Sequence, residues 1–179
     1  MTVFKRLPTW SQITPVFAVI VVVIYTWTIT WFFWKLPSLL NYMTAGEIAA
    51  EFSYLMVTNL LESLFILCAP VLLCMVLPSK WFQQVFVIRG TALVMPGLGY
   101  LMYIAYHFQS REEYPAIFFK YWSLGLAFST LFFFVFLAGR ISLLGKIVAF
   151  IADRAVIFLY VYLPLSLVSL ASVIFRLVF

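Results

Sequence analysis

Charged side chains are scarce in this chain. They make up 9% of its residues, 11 Lys and Arg against 6 Asp and Glu, where a soluble domain carries about 25%. So thin a supply of charge does not cover a water-facing surface. Histidine occurs once, at His107, which leaves a zinc site or a bis-histidine haem short of ligands from this chain alone. The two cysteines, Cys68 and Cys74, fall in one apolar run. They give no disulfide framework, and on a helix that spacing points them to different faces. Catalytic motifs are missing as well. Gly97-Leu98-Gly99 lacks the residues and the strand context of a phosphate loop. No serine has a nucleophile pattern around it. Glu112 and Glu113, beside Arg111, are adjacent carboxylates that point apart in a polar loop. The expectation is a protein that is not an enzyme, and no pattern specifies a cofactor or a metal.

Apolar residues are what the chain has instead: 66% hydrophobic and 20% aromatic, with a mean hydropathy of +1.12. The net charge is +5. In a soluble protein that excess would point to nucleic acid, but here the basic residues mostly flank apolar runs, where a membrane protein places them. The lipid bilayer is therefore the expected surroundings, and nucleic acid is not an expected partner.

A crossing helix needs ~20 mostly apolar residues, and about five runs qualify: 16–36, 47–77, 85–108, 116–137 and 155–175. The first is entered through Thr14-Pro15 and closed by Lys35 and Pro37. Tyr25, Trp27, Trp31 and Trp34 crowd its far part, a composition typical of an interfacial aromatic belt. Lys5 and Arg6 before it resemble a signal peptide, but the run is too long and no small-residue cleavage site follows, so it reads as a retained signal anchor. The second opens on Thr44-Ala45-Gly46-Glu47, a capping box. Pro70 predicts a kink in it and Pro78 its end. In the third, Met95-Pro96-Gly97-Leu98-Gly99 interrupts the apolar run, which fits a kinked span or a re-entrant hairpin. A kinked span is favoured because 90–108 is uncharged and long enough to cross.

The fourth run is dense in phenylalanine, with Phe132, Phe133, Phe134 and Phe136, and carries Gly125 and Ser129 as a small-xxx-small pair. Between the fourth and fifth runs, residues 139–153 place Ile141, Leu144, Ile147, Val148 and Ile151 on one helical face. Ser142, Lys146 and Asp153 take the other, a pattern that suits a helix along the interface. The fifth run holds Pro164 and the series Ser166, Ser169, Ser172. The fold class is thus all-α: a polytopic integral membrane bundle of about five transmembrane helices plus one interfacial amphipathic helix, forming a single domain over 1–179.

Five crossings place the ends of the chain on opposite sides. Lys5, Arg6, Lys80, Arg89, Arg140, Lys146 and Arg154 then share one side, and Lys35, Arg111, Lys120 and Arg176 the other. Seven against four predicts a cytoplasmic N-terminus and an external C-terminus.

Glu62 is the most costly residue. It lies deep in the second run, where a charged carboxylate costs ~2.5–3.5 kcal/mol even on the translocon-insertion scale. Helical spacing sets Glu51, Thr58, Asn59 and Glu62 along one stripe, expected to face protein or water rather than lipid. Such a stripe can line an ion or proton path, meet a partner subunit, or hydrogen-bond within the bundle. His107, beside Tyr103 and Tyr106, is a weaker candidate that could bind a pigment or a quinone oxygen. The expected function is an accessory or scaffolding integral membrane subunit of a larger complex, held to other integral membrane subunits by helix–helix packing. The alternative is a transporter or channel component working through Glu62. An enzyme acting on a lipid-like substrate would need converging polar groups such as Glu62 and His107.

Overall fold

The computed structural model describes residues 7–78, 81–108 and 123–178, with the backbone alone at 104, 107, 108, 123–127 and 129. Among the described residues there are five α-helices: α1 (Trp10–Leu39), α2 (Ala45–Val76), α3 (Phe86–Phe108), α4 (Ser123–Ala138) and α5 (Ser142–Val178), with a 3-10 turn at Gln83–Val85 leading into α3. Among the described residues there is no strand. Trp10–Leu39, Ala45–Val76, Gln83–Tyr103 and Ser142–Val178 are each long and apolar enough to cross a membrane. The outer surface is apolar as well: Phe65 and Tyr160 are 80% exposed and Val76 is 76% exposed. Patches of that kind belong against lipid or partner helices. The chain is an all-α membrane bundle.

Direction follows from the contacts. Phe32 on α1 meets Phe52 on α2, ring centroids 5.1 Å apart, across a tight helix–turn–helix, so these two helices are antiparallel. Near the start of α1, Val16 packs on Gly90 of α3; further along, Trp31 meets Tyr106. These two helices therefore run parallel. Gln12 and Pro15 share a groove with Ala149 and Asp153 of α5, and Tyr25 meets Tyr162 at 4.8 Å, so α5 is parallel to α1 too. The end of α4 lies at the start of α3, where Phe136 meets Trp81. Helices α1, α3 and α5 thus run one way and α2 and α4 the other. Arg89, Arg140, Lys146 and Arg154 gather at one end of the bundle, and Lys35 and Arg176 lie at the other.

Helix α1 is central. It packs against α2, α3 and α5, while α4 leans mainly on α3. Its buried face supplies much of the core: Val16, Val19, Ile20, Val21, Ile24 and Tyr25, joined by Met56 and Cys74 of α2, Phe86 and Val94 of α3, and Ala152 and Leu159 of α5. Gly90 lets α1 and α3 approach closely: a Cβ there would stand 3.2 and 3.3 Å from the two methyls of Val16. Small residues serve this purpose where lipid supplies no hydrophobic drive for helices to pair.

The capping box at Thr44 forms. The Thr44 N–H donates to the Glu47 carboxylate at 2.7 Å, and the Glu47 N–H donates back to Thr44 Oγ1 at 3.4 Å. Elsewhere the elements depart from the sequence expectation. Helix α1 starts at Trp10 rather than 16 and runs through Pro15 and Pro37 to Leu39. Its start is set by Thr9, whose N–H donates to the Gln12 side chain at 3.1 Å. Helix α3 passes through Pro96 unbroken, so the segment is one continuous helix, long and apolar enough to cross, and not a hairpin. Proline removes one backbone hydrogen bond, whereas a chain reversal in hydrocarbon strands several, each costing several kcal/mol. Residues from Ser142 onward are helical, as the 139–153 pattern predicts, but they join the last span without a break. The inward face there is Gly145, Val148 and Ala152, while Ile141, Ile147 and Ile151 are exposed. At ~1.5 Å per residue α5 is about 55 Å long, so its first turns pass beyond the hydrocarbon. The span expected at 116–137 is described from Ser123 onward. Arg111, Glu112, Glu113 and Lys120 lie outside the described residues.

Candidate functional site

Polar side chains meet in the middle of the bundle. Tyr25 stands at the midpoint of α1 and is fully buried, which separates it from Trp27, Trp31 and Trp34, whose rings meet one another further along. Its hydroxyl bonds to Ser166 Oγ on α5 and lies 3.3 Å from the Met56 carbonyl oxygen on α2. Ser166 Oγ is also 2.8 Å from the Tyr162 carbonyl oxygen. Two proton arrangements satisfy this set. Either Tyr25 donates to Ser166 and Ser166 to Tyr162, or Ser166 donates to Tyr25 and Tyr25 to Met56. Three helices are tied at one level.

A second tie lies beside it. Thr28 Oγ1 on α1 donates to Asn59 Oδ1 on α2 at 2.9 Å. Asn59 is 2% exposed, and its Nδ2 has no acceptor among the described residues. One turn on, Ser63 donates to the Asn59 carbonyl at 2.7 Å. Back-bonding to the carbonyl four residues earlier lets a serine sit in an apolar helix without a partner.

The predicted stripe on α2 divides. Asn59 faces the interior, whereas Glu51, Thr58 and Glu62 are exposed on the outer surface of the bundle. Thr58 is satisfied by the Tyr54 carbonyl at 3.0 Å. At ~100° per residue, Thr58 and Glu62 fall within about 20° of Glu51, while Asn59 stands about 80° away, toward Met56, Ser63 and Pro70. Four positions that look like one band in the sequence straddle the edge of the packing face. Glu62 lies within two residues of the midpoint of α2, with exposed Leu61, Leu64 and Phe65 around it. No described side chain bonds to its carboxylate.

His107 is on the last turn of α3; its side chain lies outside what is described, and Gly125 and Ser129 are described by backbone alone. Its helical position puts it near the end of α3, well away from the level of Glu62, so the backbone does not bring those two residues together. Cys68 is exposed and Cys74 buried, on different faces of α2. Among the described residues no cluster of three or more His, Cys, Asp or Glu could hold a metal ion.

Sequence reasoning missed Tyr25 and Arg89. The partner of Tyr25 was visible as one member of the Ser166, Ser169, Ser172 series, of which Ser166 and Ser169 are buried and Ser172 is exposed. Nothing in the sequence linked that series to a tyrosine on the first helix. Arg89 enters the sequence pattern only as a charge flanking an apolar run. Its Nε is buried without a partner, and its guanidinium lies against Gly139.

Compared with family models, curated proteins and solved structures, the chain matches none.

Proposed function

We propose that this chain is an accessory, membrane-embedded subunit that pairs with another integral membrane protein through the outer face of α2. One observation carries the reading: Glu62 is exposed at mid-helix with no partner among the described residues. Left charged in lipid, that side chain costs ~2.5–3.5 kcal/mol or more. A neighbouring helix that brings a hydrogen-bond donor or a basic side chain to the same depth removes the cost. The described cations of this chain stand at the two ends of the bundle, so a second copy brings none of them to this level. The occupant of complementary charge is therefore a transmembrane helix of a different protein.

The alternative is transport through Glu62. It requires the carboxylate to line a watered path, and because Glu62 turns away from the bundle that path would have to form between chains. The same face would serve, so pairing comes first in either reading. The excess of Lys and Arg at the end bearing Arg89, Arg140, Lys146 and Arg154 supports a cytoplasmic placement of that end.

The test is gentle extraction from native membranes followed by mass spectrometry, with wild type and Glu62→Leu compared. The reading expects one membrane protein at fixed stoichiometry with wild type, depleted about tenfold or more with the variant; a lost charge-assisted bond of roughly 1.5–3 kcal/mol corresponds to that ratio. Wild type emerging alone, or a partner retained equally by the variant, overturns it.

A further inference from the structure

At the cation-rich end of the bundle, Arg89 is held without an acceptor. It sits in the first turn of α3, and its guanidinium turns the Nε–Nη2 edge toward Gly139 in the turn between α4 and α5. A Cβ at 139 would overlap it, with Nη2 2.8 Å and Cζ 3.0 Å away. Gly139 thereby covers Nε, which is buried and unpaired. The terminal nitrogens are not buried in this way, and no described protein group accepts from them. Arg140, the next residue after Gly139, is exposed, and its guanidinium lies 5.3 Å over the Phe136 ring. It too has no carboxylate partner among the described residues.

The surroundings add positive potential and almost nothing to neutralise it. Neither α3 nor α5 has an acidic residue in its first turn, and both helices begin here, with Gly145 of α5 packed on Ile88 of α3. Lys146 is exposed one residue further on. The described acid of this end is Asp153. It lines the neighbouring groove with Gln12 and Gln84 and pairs with neither arginine. A cation in the first turn of a helix opposes the helix dipole, so Arg89 is placed against its own helix's field unless an anion is present.

We infer that Arg89 and Arg140 form a binding site for the phosphodiester of an anionic phospholipid in the leaflet at this end of the bundle. The terminal nitrogens of Arg89 donate to the phosphate oxygens, since a guanidinium matches phosphate through paired donors, and Arg140 supplies the second charge. Basic sites between transmembrane helices at a membrane face take lipid headgroups by this chemistry. The acyl chains run down the exposed Phe132 and Phe133 of α4. The inference does not depend on the role given to Glu62.

Gly139→Ala separates position from charge, because it pushes a flexible guanidinium aside and keeps every charge. The experiment purifies the full chain, reconstitutes it in phosphatidylcholine vesicles with or without phosphatidylglycerol, re-extracts it, and measures retained lipid by native mass spectrometry. Wild type is expected to retain phosphatidylglycerol over phosphatidylcholine. Arg89→Gln and Arg140→Gln are each expected to weaken retention about fivefold, Gly139→Ala to weaken it measurably, and Lys35→Gln at the opposite end to leave it unchanged. Equal retention by wild type, Arg89→Gln and Arg140→Gln overturns the site. Displacement of the lipid by inorganic phosphate at comparable concentration overturns the lipid as its ligand and assigns it to free phosphate.

Discussion

Asn59 and Glu62 stand three residues apart on α2 and face opposite surroundings. Asn59 turns inward, where it takes a hydrogen bond from Thr28 at 2.9 Å. Glu62 turns outward, level with the buried polar layer but not part of it. The inner residue holds α2 to α1. The outer one has no work to do within this chain, and the account of a partner subunit follows from that difference.

Asn59→Leu is predicted to leave the isolated chain at least as stable as wild type. The substitution gives up one intramembrane hydrogen bond, on average about 0.6 kcal/mol, and removes a buried amide nitrogen without a partner, which costs ~1–3 kcal/mol. Thr28 can then turn back to its own helix, as Thr30 does to the Thr26 carbonyl at 2.7 Å. Reversible unfolding in mixed micelles measures this; a loss above about 2 kcal/mol would mean that Nδ2 is paired in the membrane.

Tyr25→Phe is predicted to cost roughly 0.6–1.7 kcal/mol, the range for one hydrogen bond between membrane helices. The ring keeps its place against Tyr162, and Ser166 keeps the Tyr162 carbonyl, so no polar group is orphaned. The same unfolding assay checks it. A cost several times larger would show that the hydroxyl organises more of the core than these bonds.

Gly90→Leu is predicted to force α3 away from α1 and to cost about 1–3 kcal/mol by overpacking. The methyls of Val16 and, at 3.8 Å, Cβ of Pro70 already close the space beside Gly90. Pairing it with Val16→Ala is expected to restore part of the loss, because the two positions share one contact and do not add. Loss with no rescue would place the strain elsewhere.

Much of the fold was legible because lipid makes helices obligatory: runs of ~20 apolar residues admit few other structures. The Thr44–Glu47 cap and the stop at Pro78 could be read directly. Proline was the poor guide. Pro15, Pro37 and Pro96 looked like boundaries or breaks, yet all three lie inside helices, because a helix loses less at one proline than at an unpaired turn in hydrocarbon. The site was legible in part. Spacing identifies the residues near one face but not where that face ends, and Asn59 and Glu62 fall on either side of the edge. Contacts between distant helices, such as Tyr25 with Ser166 and Arg89 with Gly139, leave no local pattern to read.

The central claim, that the outer face of α2 is covered by another protein, is tested most directly by photocrosslinking in native membranes. A photoreactive residue replaces Phe65, 80% exposed beside Glu62, and in a second sample Phe132, 67% exposed on α4. The account predicts a single protein adduct of defined mass from position 65, abolished when Glu62→Leu is added, and lipid adducts from position 132. Lipid adducts alone from position 65, with or without Glu62, would contradict it.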